Sequence, residues 1–260
     1  MAGAYRLGSR ARPAAGVAKP LPPRARRELK KDGYTIARGL IPAARRDAAL
    51  REINHRFGLA RDARPGSGGV EEVMDAPAVM DLLYATSLWS LAEGLLGKGK
   101  IAPVTEAQTV LRFPRLKKTT WEPELHLDEY VPPYAGDETS ATPSFTLLLC
   151  ALLSDLPAAD AGNFAFSPGS HLAVAAHLRA RGTAALAPDL PSRMDLPPLV
   201  PFTGKAGDVA LCHYLLAHDR QENFSPHIRY AVFFRLMHAD HRAHRAAALT
   251  DPWLEWPGLR

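Results

Sequence analysis

Two periodicities divide the chain. Up to Gly99 the apolar residues recur mostly at helical spacing; beyond it they come in short runs separated by Pro, Gly and Asp. The opening "RARRELKKDGYTIARGLIP" reads as a helix, a glycine turn, a short strand and a turn at Pro42. In "AARRDAALREINHRFG", Ala49, Leu50, Ile53 and Phe57 fall near the three-and-four spacing of one helix face, with Gly58 placed to cap it. "RDARPGSGGVEE" reads as a loop. Residues 76 to 96 hold two further helical stretches, the second with Thr86 as a fair N-cap and Gly97 as a stop.

The second half carries the strand signals: "IAPVTEAQTVLRF", "LHLDEYV", "SFTLLLCALLSDL", "GNFAFSPGSH", "LVPFTG", "GDVALCHYLLAH" and "IRYAVFFRLMH". One helical insert, "HLAVAAHLRARG", interrupts them, and a short helix near "HRAAALTDPWLEW" closes the chain. Helices first and many strands after predict a mainly β fold with flanking helices, an antiparallel barrel or sandwich of jelly-roll type. The expected organisation is one domain over residues 24–260, preceded by residues 1–23 as a flexible basic tail or a targeting segment rich in Arg and without acids.

Composition narrows the function classes. Apolar residues make up 47% of the chain, enough for a sizeable core, yet no apolar run approaches the roughly 20 residues of a membrane helix. Cys150 and Cys212 both sit in apolar runs and read as buried free thiols, which fits a reducing compartment. The net charge of +5 is concentrated at one end: residues 1–31 carry nine Lys and Arg against one acid, Glu28, and the remainder is mildly acidic. That distribution predicts no nucleic-acid partner, and the lack of a long apolar run predicts no membrane partner. A cytoplasmic location is expected, with organelle import through the basic segment as the alternative.

Candidate chemistry begins in "WEPELHLDEY". In a strand, residues two apart share a face, so His126 and Asp128 project together. An inward carboxylate is costly unless it is paired or binds a metal. Two histidines and a carboxylate on one side of a metal form the facial triad of non-haem Fe(II) oxygenases. His171, His177, His227, His238, His241 and His244 lie at turns, in the helical insert, in a loop or in a charged run. His213 and His218 share "GDVALCHYLLAHD" and, five apart, face opposite sides of a regular strand. Only one of them can point at the metal. Arg229, opening "IRYAVFFRL" eleven residues after His218, is suited to holding a carboxylate in bidentate fashion.

In this order, His126-x-Asp128, "GNFAFSPGSH", "GDVALCHYLLAH" and Arg229 resemble the phytanoyl-CoA dioxygenase family of Fe(II)/2-oxoglutarate oxygenases. "KKDGYTIARGLIP" is similar to that family's opening, and the resemblance spans roughly residues 24 to 240. It implies a cupin-like double-stranded β-helix and His126, Asp128 and His218 as iron ligands. It implies Arg229 as anchor of the distal 2-oxoglutarate carboxylate, with Gln108 and Arg112 lining the same pocket. Arg112 is a less usual occupant. Where relatives often carry Ser or Thr two residues after the distal histidine, this chain has Arg220. The retained Asp128 disfavours a halogenase-like site.

The implied activity hydroxylates a small molecule with Fe(II), 2-oxoglutarate and O2, releasing succinate and CO2. The rival reading is a non-catalytic or 2-oxoglutarate-independent metal-binding protein of the same fold. Trp121, Tyr130, Tyr214 and Arg220 are the substrate-side candidates, Tyr214 because it would share the inward face with His218. "YVPPYAGDETSATP" reads as a mobile lid or an ordinary loop. Arg112, Arg220 and Arg235 hint at an anionic substrate.

Overall fold

The computed structural model describes residues 19–59, 69–115, 122–128, 145–187 and 189–260. Four helices come early: α1 (Pro23–Asp32), α2 (Ala43–Leu59), α3 (Pro77–Tyr84) and α4 (Leu88–Leu96). β1 (Tyr34–Ala37) and β2 (Gly69–Met74) lie between them. The rest is mainly strand: β3 (Ala107–Arg112), β4 (Leu147–Leu152), β5 (Phe164–Phe166), β6 (Val200–Pro201), β7 (Val209–His213), β8 (His218–Arg220) and β9 (Arg229–Leu236). Helix α5 (Ser170–Arg181) is the insert, and α6 (His241–Thr250) precedes the C-terminal residues. None of the described helices is long and apolar enough to cross a membrane.

Six strands form one antiparallel sheet in the order β1-β7-β4-β9-β3-β2, and β6-β5-β8 form a smaller antiparallel sheet. The two sheets face each other across an apolar layer, in which Phe164 of the small sheet meets Phe233 of the large one at 5.2 Å between ring centroids. This is the jelly-roll arrangement that the order of elements predicts. The helices cover the opposite face of the large sheet, through Leu29, Ile53, Leu83, Leu88 and Leu95.

Strand alternation sorts every residue of the large sheet into one of these layers. In β4, Leu147, Leu149 and Ala151 face the helices, and Leu148, Cys150 and Leu152 face the small sheet. Both faces are covered, which is why "LLLCAL" reads as an unbroken apolar run. In β9, Val232, Phe234 and Leu236 take the helix side, so Arg229, Ala231, Phe233 and Arg235 point between the sheets. Two arginines are thereby committed to the interior.

Three local expectations are corrected. The run read as a loop ends in a strand: "GVEEVM" is β2, an edge strand paired with β3 along its whole length. Its charged residues hid the signal, which comes from pairing rather than propensity. The stretch from Val209 to Arg220 is two strands in two sheets. Its chain turns after His213, whose carbonyl accepts the Leu216 N–H at 3.0 Å. Of "LHLDEYV", the described residues 125–128 make only a bridge at His126, and the rest of the run lies outside the described residues. Helix ends are mixed. The N-cap of α4 is Ser87, one residue after Thr86, although Thr86 Oγ1 accepts the Leu88 N–H at 3.1 Å; Gly97 caps α4 at φ 100°. Gly58 lies inside α2, one residue before its end.

Glycine is needed at Gly33, where φ is +82° and a Cβ would stand 2.5 Å from His171 Nδ1. His171 lies in an aromatic nest with His213, Trp253 and Trp256. His213 is satisfied within it: Nε2 meets Pro252 O at 2.8 Å and Nδ1 accepts the Leu215 N–H at 3.0 Å. Burial pushes His171 down to about 3 and His213 down to about 4. Below about 6.5 the unfolded chain therefore takes up protons that the folded one refuses, and stability falls with falling pH. Each histidine contributes a slope of up to about 1.4 kcal/mol per pH unit from there down to its folded value. The urea midpoint should drop between pH 7 and pH 5, less steeply in His213→Leu; equal slopes in the two proteins would refute the assignment.

Candidate metal centre

His126 and His218 come from segments far apart in sequence and are joined by their own backbones. The N–H of each donates to the carbonyl of the other, both at 3.1 Å. The "SPGS" turn holds the residue before His218 in place: Ser167 N–H donates to Ala217 O at 2.9 Å, and Ala217 N–H to Ser170 Oγ at 2.8 Å. Asp219, after it, is buried and accepts the Glu124 N–H at 2.8 Å, tying β8 to the His126 segment a second time.

The two imidazoles are set in the same tautomer. His126 Nδ1 lies 2.9 Å from Glu124 O and His218 Nδ1 lies 2.8 Å from Leu216 O. A carbonyl only accepts, so both Nδ1 atoms carry protons and both Nε2 lone pairs are open. Asp128 offers Oδ1 at 3.2 Å from His218 Nε2, and ligand atoms of the three residues all lie within 4.8 Å of one another. A lone pair facing a carboxylate repels it unless a cation intervenes. A proton serves, and so does a divalent metal. The donor set of two imidazoles and one carboxylate suits non-haem iron.

Electrostatics keep Asp128 and His126 in their binding forms. Burial raises the Asp128 carboxyl, but the Arg235 guanidinium and the histidines outweigh it and hold the group well below the usual carboxylate range. Burial, then the neighbouring His218, lowers His126, which stays neutral at pH 7.

The centre opens into a cleft of about 200 Å³. Arg229 lines it at 3% exposure, with Nε donating to Gly162 O at 2.7 Å and Nη1 reaching Val110 O at 3.4 Å. No carboxylate among the described residues pairs with it. Burial pushes it down only to about 10, so it is charged at neutral pH. A buried cation without a counter-ion is costly, and an incoming carboxylate removes the cost. Arg112 stands directly opposite Arg229 in the β3–β9 ladder and is bound to Glu71, which also accepts Gln108 Nε2 at 2.8 Å. Arg220 lies at the rim with its side chain 52% exposed.

The structure thus gathers His126, Asp128, His218, Gln108, Arg112, Arg220 and Arg229 around one cleft. Tyr214 is not among the residues that line this cleft. It belongs to the turn between β7 and β8, so strand parity with His218 does not apply. Its ring packs edge-on against Phe145 at 4.8 Å beside a separate small pocket. Trp121, Tyr130 and the "YVPPYAGDETSATP" segment fall outside the described residues. Sequence reasoning missed Glu71, Asp219 and the pairing of Arg235 with Asp128; for the first, "GVEEVM" offers no apolar–polar alternation that could have marked it.

Among the described residues a second group, His238, His244 and Glu255, also brings ligand atoms within 4.8 Å. Its hydrogen bonds differ. His238 Nδ1 accepts the Asp240 N–H at 3.2 Å, which places the proton of the neutral ring on Nε2. Glu255 Oε2 accepts from Thr146 Oγ1 at 2.9 Å and from His241 Nδ1 at 2.7 Å. Glu255 and His238 thereby fasten the C-terminal part of the chain to Thr146, the residue just before β4.

No family model and no curated protein matches the chain. Solved structures do. SnoK, a non-heme alpha ketoglutarate dependent carbocyclase from nogalamycin biosynthesis, is 21% identical over 90% of this chain and 94% of its own, with a TM-score of 0.62. The epimerase SnoN, in complex with Fe3+, alpha ketoglutarate and nogalamycin RO, is 22% identical over 83% of both chains at 0.59. HygX from Streptomyces hygroscopicus, with nickel and 2-oxoglutarate bound, is 15% identical over 84% of this chain and 88% of its own at 0.57. These likenesses establish the fold, a cupin-like jelly-roll core with flanking helices.

Proposed function

We propose that the chain is an Fe(II)- and 2-oxoglutarate-dependent oxygenase of the phytanoyl-CoA dioxygenase-like branch that hydroxylates a small molecule. One observation carries this reading. Two histidines with open Nε2 atoms converge with an ionised carboxylate, and a buried Arg229 without a carboxylate partner faces the same cleft. The ion and the dicarboxylate seen together in SnoN and in HygX are what these two features call for.

His126, Asp128 and His218 would hold the iron. Arg229 would bind the distal carboxylate of 2-oxoglutarate, with Gln108 and Arg112 beside it. Iron, 2-oxoglutarate and O2 together supply the oxidising chemistry, with succinate and CO2 as coproducts. The chain's own work is orientation and exclusion of water: Val110, Leu148, Phe164 and Phe233 form the apolar wall of the cleft. Arg220 at the rim is the group we assign to an anionic part of the substrate.

A 2-oxoglutarate-independent metal protein would leave the Arg229 charge unanswered. Anaerobic addition of Fe(II) and 2-oxoglutarate to the wild-type protein should produce a weak visible charge-transfer band, and O2 should then release succinate. A band without succinate would mean a silent binder, and no band would sink the proposal. Product mass separates the outcomes: gain of one oxygen for hydroxylation, loss of two hydrogens for ring closure, no change for epimerisation.

A further inference from the structure

Arg235 lies six residues after Arg229 on the same face of β9, so it too points between the sheets. Its side chain is 11% exposed, and its guanidinium carbon stands 6.0 Å from the centre of the Phe145 ring. Nε donates to Asp128 Oδ2 at 2.9 Å, and Nη2 lies 2.8 Å from the same oxygen. The usual fork-to-fork pairing of arginine and carboxylate uses both oxygens. Here both nitrogens take one oxygen. The other, Oδ1, is left facing His218 Nε2.

We propose that Arg235 is a positioning residue that restricts Asp128 to a single ligating oxygen, Oδ1. The inference rests on reading His126, Asp128 and His218 as metal ligands. With Oδ2 engaged, the carboxylate cannot turn to present both oxygens to the ion. A metal held here would then keep a coordination position that a chelating carboxylate would have filled. Among the described residues, the segment of Asp128 makes only the bridge at His126. Its orientation therefore depends on side-chain contacts, and Arg235 makes the two shortest of those described.

The sign of one measurement separates positioning from simple charge effects. A guanidinium beside a divalent ion repels it, so removing a cation that did nothing else would tighten metal binding. Removing a residue that orients a ligand weakens binding, typically about 10- to 100-fold. The test titrates wild type, Arg235→Met and Arg235→Lys with Co(II), followed by the cobalt absorption bands, with a melting curve of each metal-free protein. Arg235→Met should bind Co(II) about 10- to 100-fold more weakly. Arg235→Lys, which keeps the charge but has no fork, should fall between it and wild type. Equal or tighter binding in Arg235→Met overturns the proposal. If that variant does not fold, Arg235→Lys decides alone: binding equal to wild type overturns it, and weaker binding in a folded protein supports it. Wild type that binds no Co(II) defeats the metal reading itself, an outcome distinct from a wild type that binds and variants that match it.

Discussion

His218→Ala should bind Fe(II) more than about 100-fold more weakly than wild type, beyond the range for residues that only orient a ligand. The charge-transfer band and succinate release should vanish with it. The fold should survive, because β8 is joined to the His126 segment by main-chain bonds that alanine keeps. A matched His213→Ala should show the opposite pattern. That ring is buried in the aromatic nest, with its hydrogen bonds to Pro252 and Leu215, and does not line the cleft; its loss should lower the melting temperature and leave metal affinity within about a factor of two. A His218→Ala protein that keeps the band would remove this histidine from the ligand set. Circular dichroism on the same samples shows whether the loss is local.

The second large effect belongs to Arg229→Met. It should weaken 2-oxoglutarate binding by about 2 to 5 kcal/mol, the usual cost of truncating one member of a buried charge pair, which is roughly 30-fold to several thousand-fold. The metal-free protein should lose little stability or gain some, since an uncompensated buried cation gives way to an apolar chain of similar length. Two backbone contacts, to Gly162 O and Val110 O, are lost in exchange. Calorimetry with 2-oxoglutarate on the metal-loaded protein and a urea curve without ligand measure the two halves. Affinity within a few-fold of wild type would show that Arg229 serves the scaffold rather than the cosubstrate. A generally damaged protein would lose both affinity and stability, so it cannot imitate a large loss of affinity with stability kept.

What the sequence shows of this molecule depends on the range of each interaction. Layering was legible because period-two alternation is local: "RYAVFFRL" already assigns Arg229 and Arg235 to one face. The order of His126, Asp128, His218 and Arg229 was legible through family resemblance, and the structure brings those four to one cleft. His218 was separated from His213 by strand parity, whereas the structure separates them by a turn that carries the chain from one sheet to the other. The same turn displaced Tyr214. Glu71, which meets Arg112 and Gln108, and Arg235, which meets Asp128, were hidden for another reason. Their partners are fixed by pairing between distant strands, and no local pattern encodes which strand becomes a neighbour.

β9 bears the proposed anchor of the cosubstrate at one end and the clamp on Asp128 at the other. Along a strand, inward-facing positions recur only every second residue, about 6.7 Å apart. The anchor can therefore be relocated by mutation only in steps of that size, several times the length of one methylene. If Arg229 holds the cosubstrate as proposed, moving the arginine to the next inward position of β9 would abolish the grip on a five-carbon diacid rather than retune it to a four- or six-carbon one. A single-residue deletion between Arg229 and Arg235 is harsher still, for it would turn one of the two arginines into the helix-facing core.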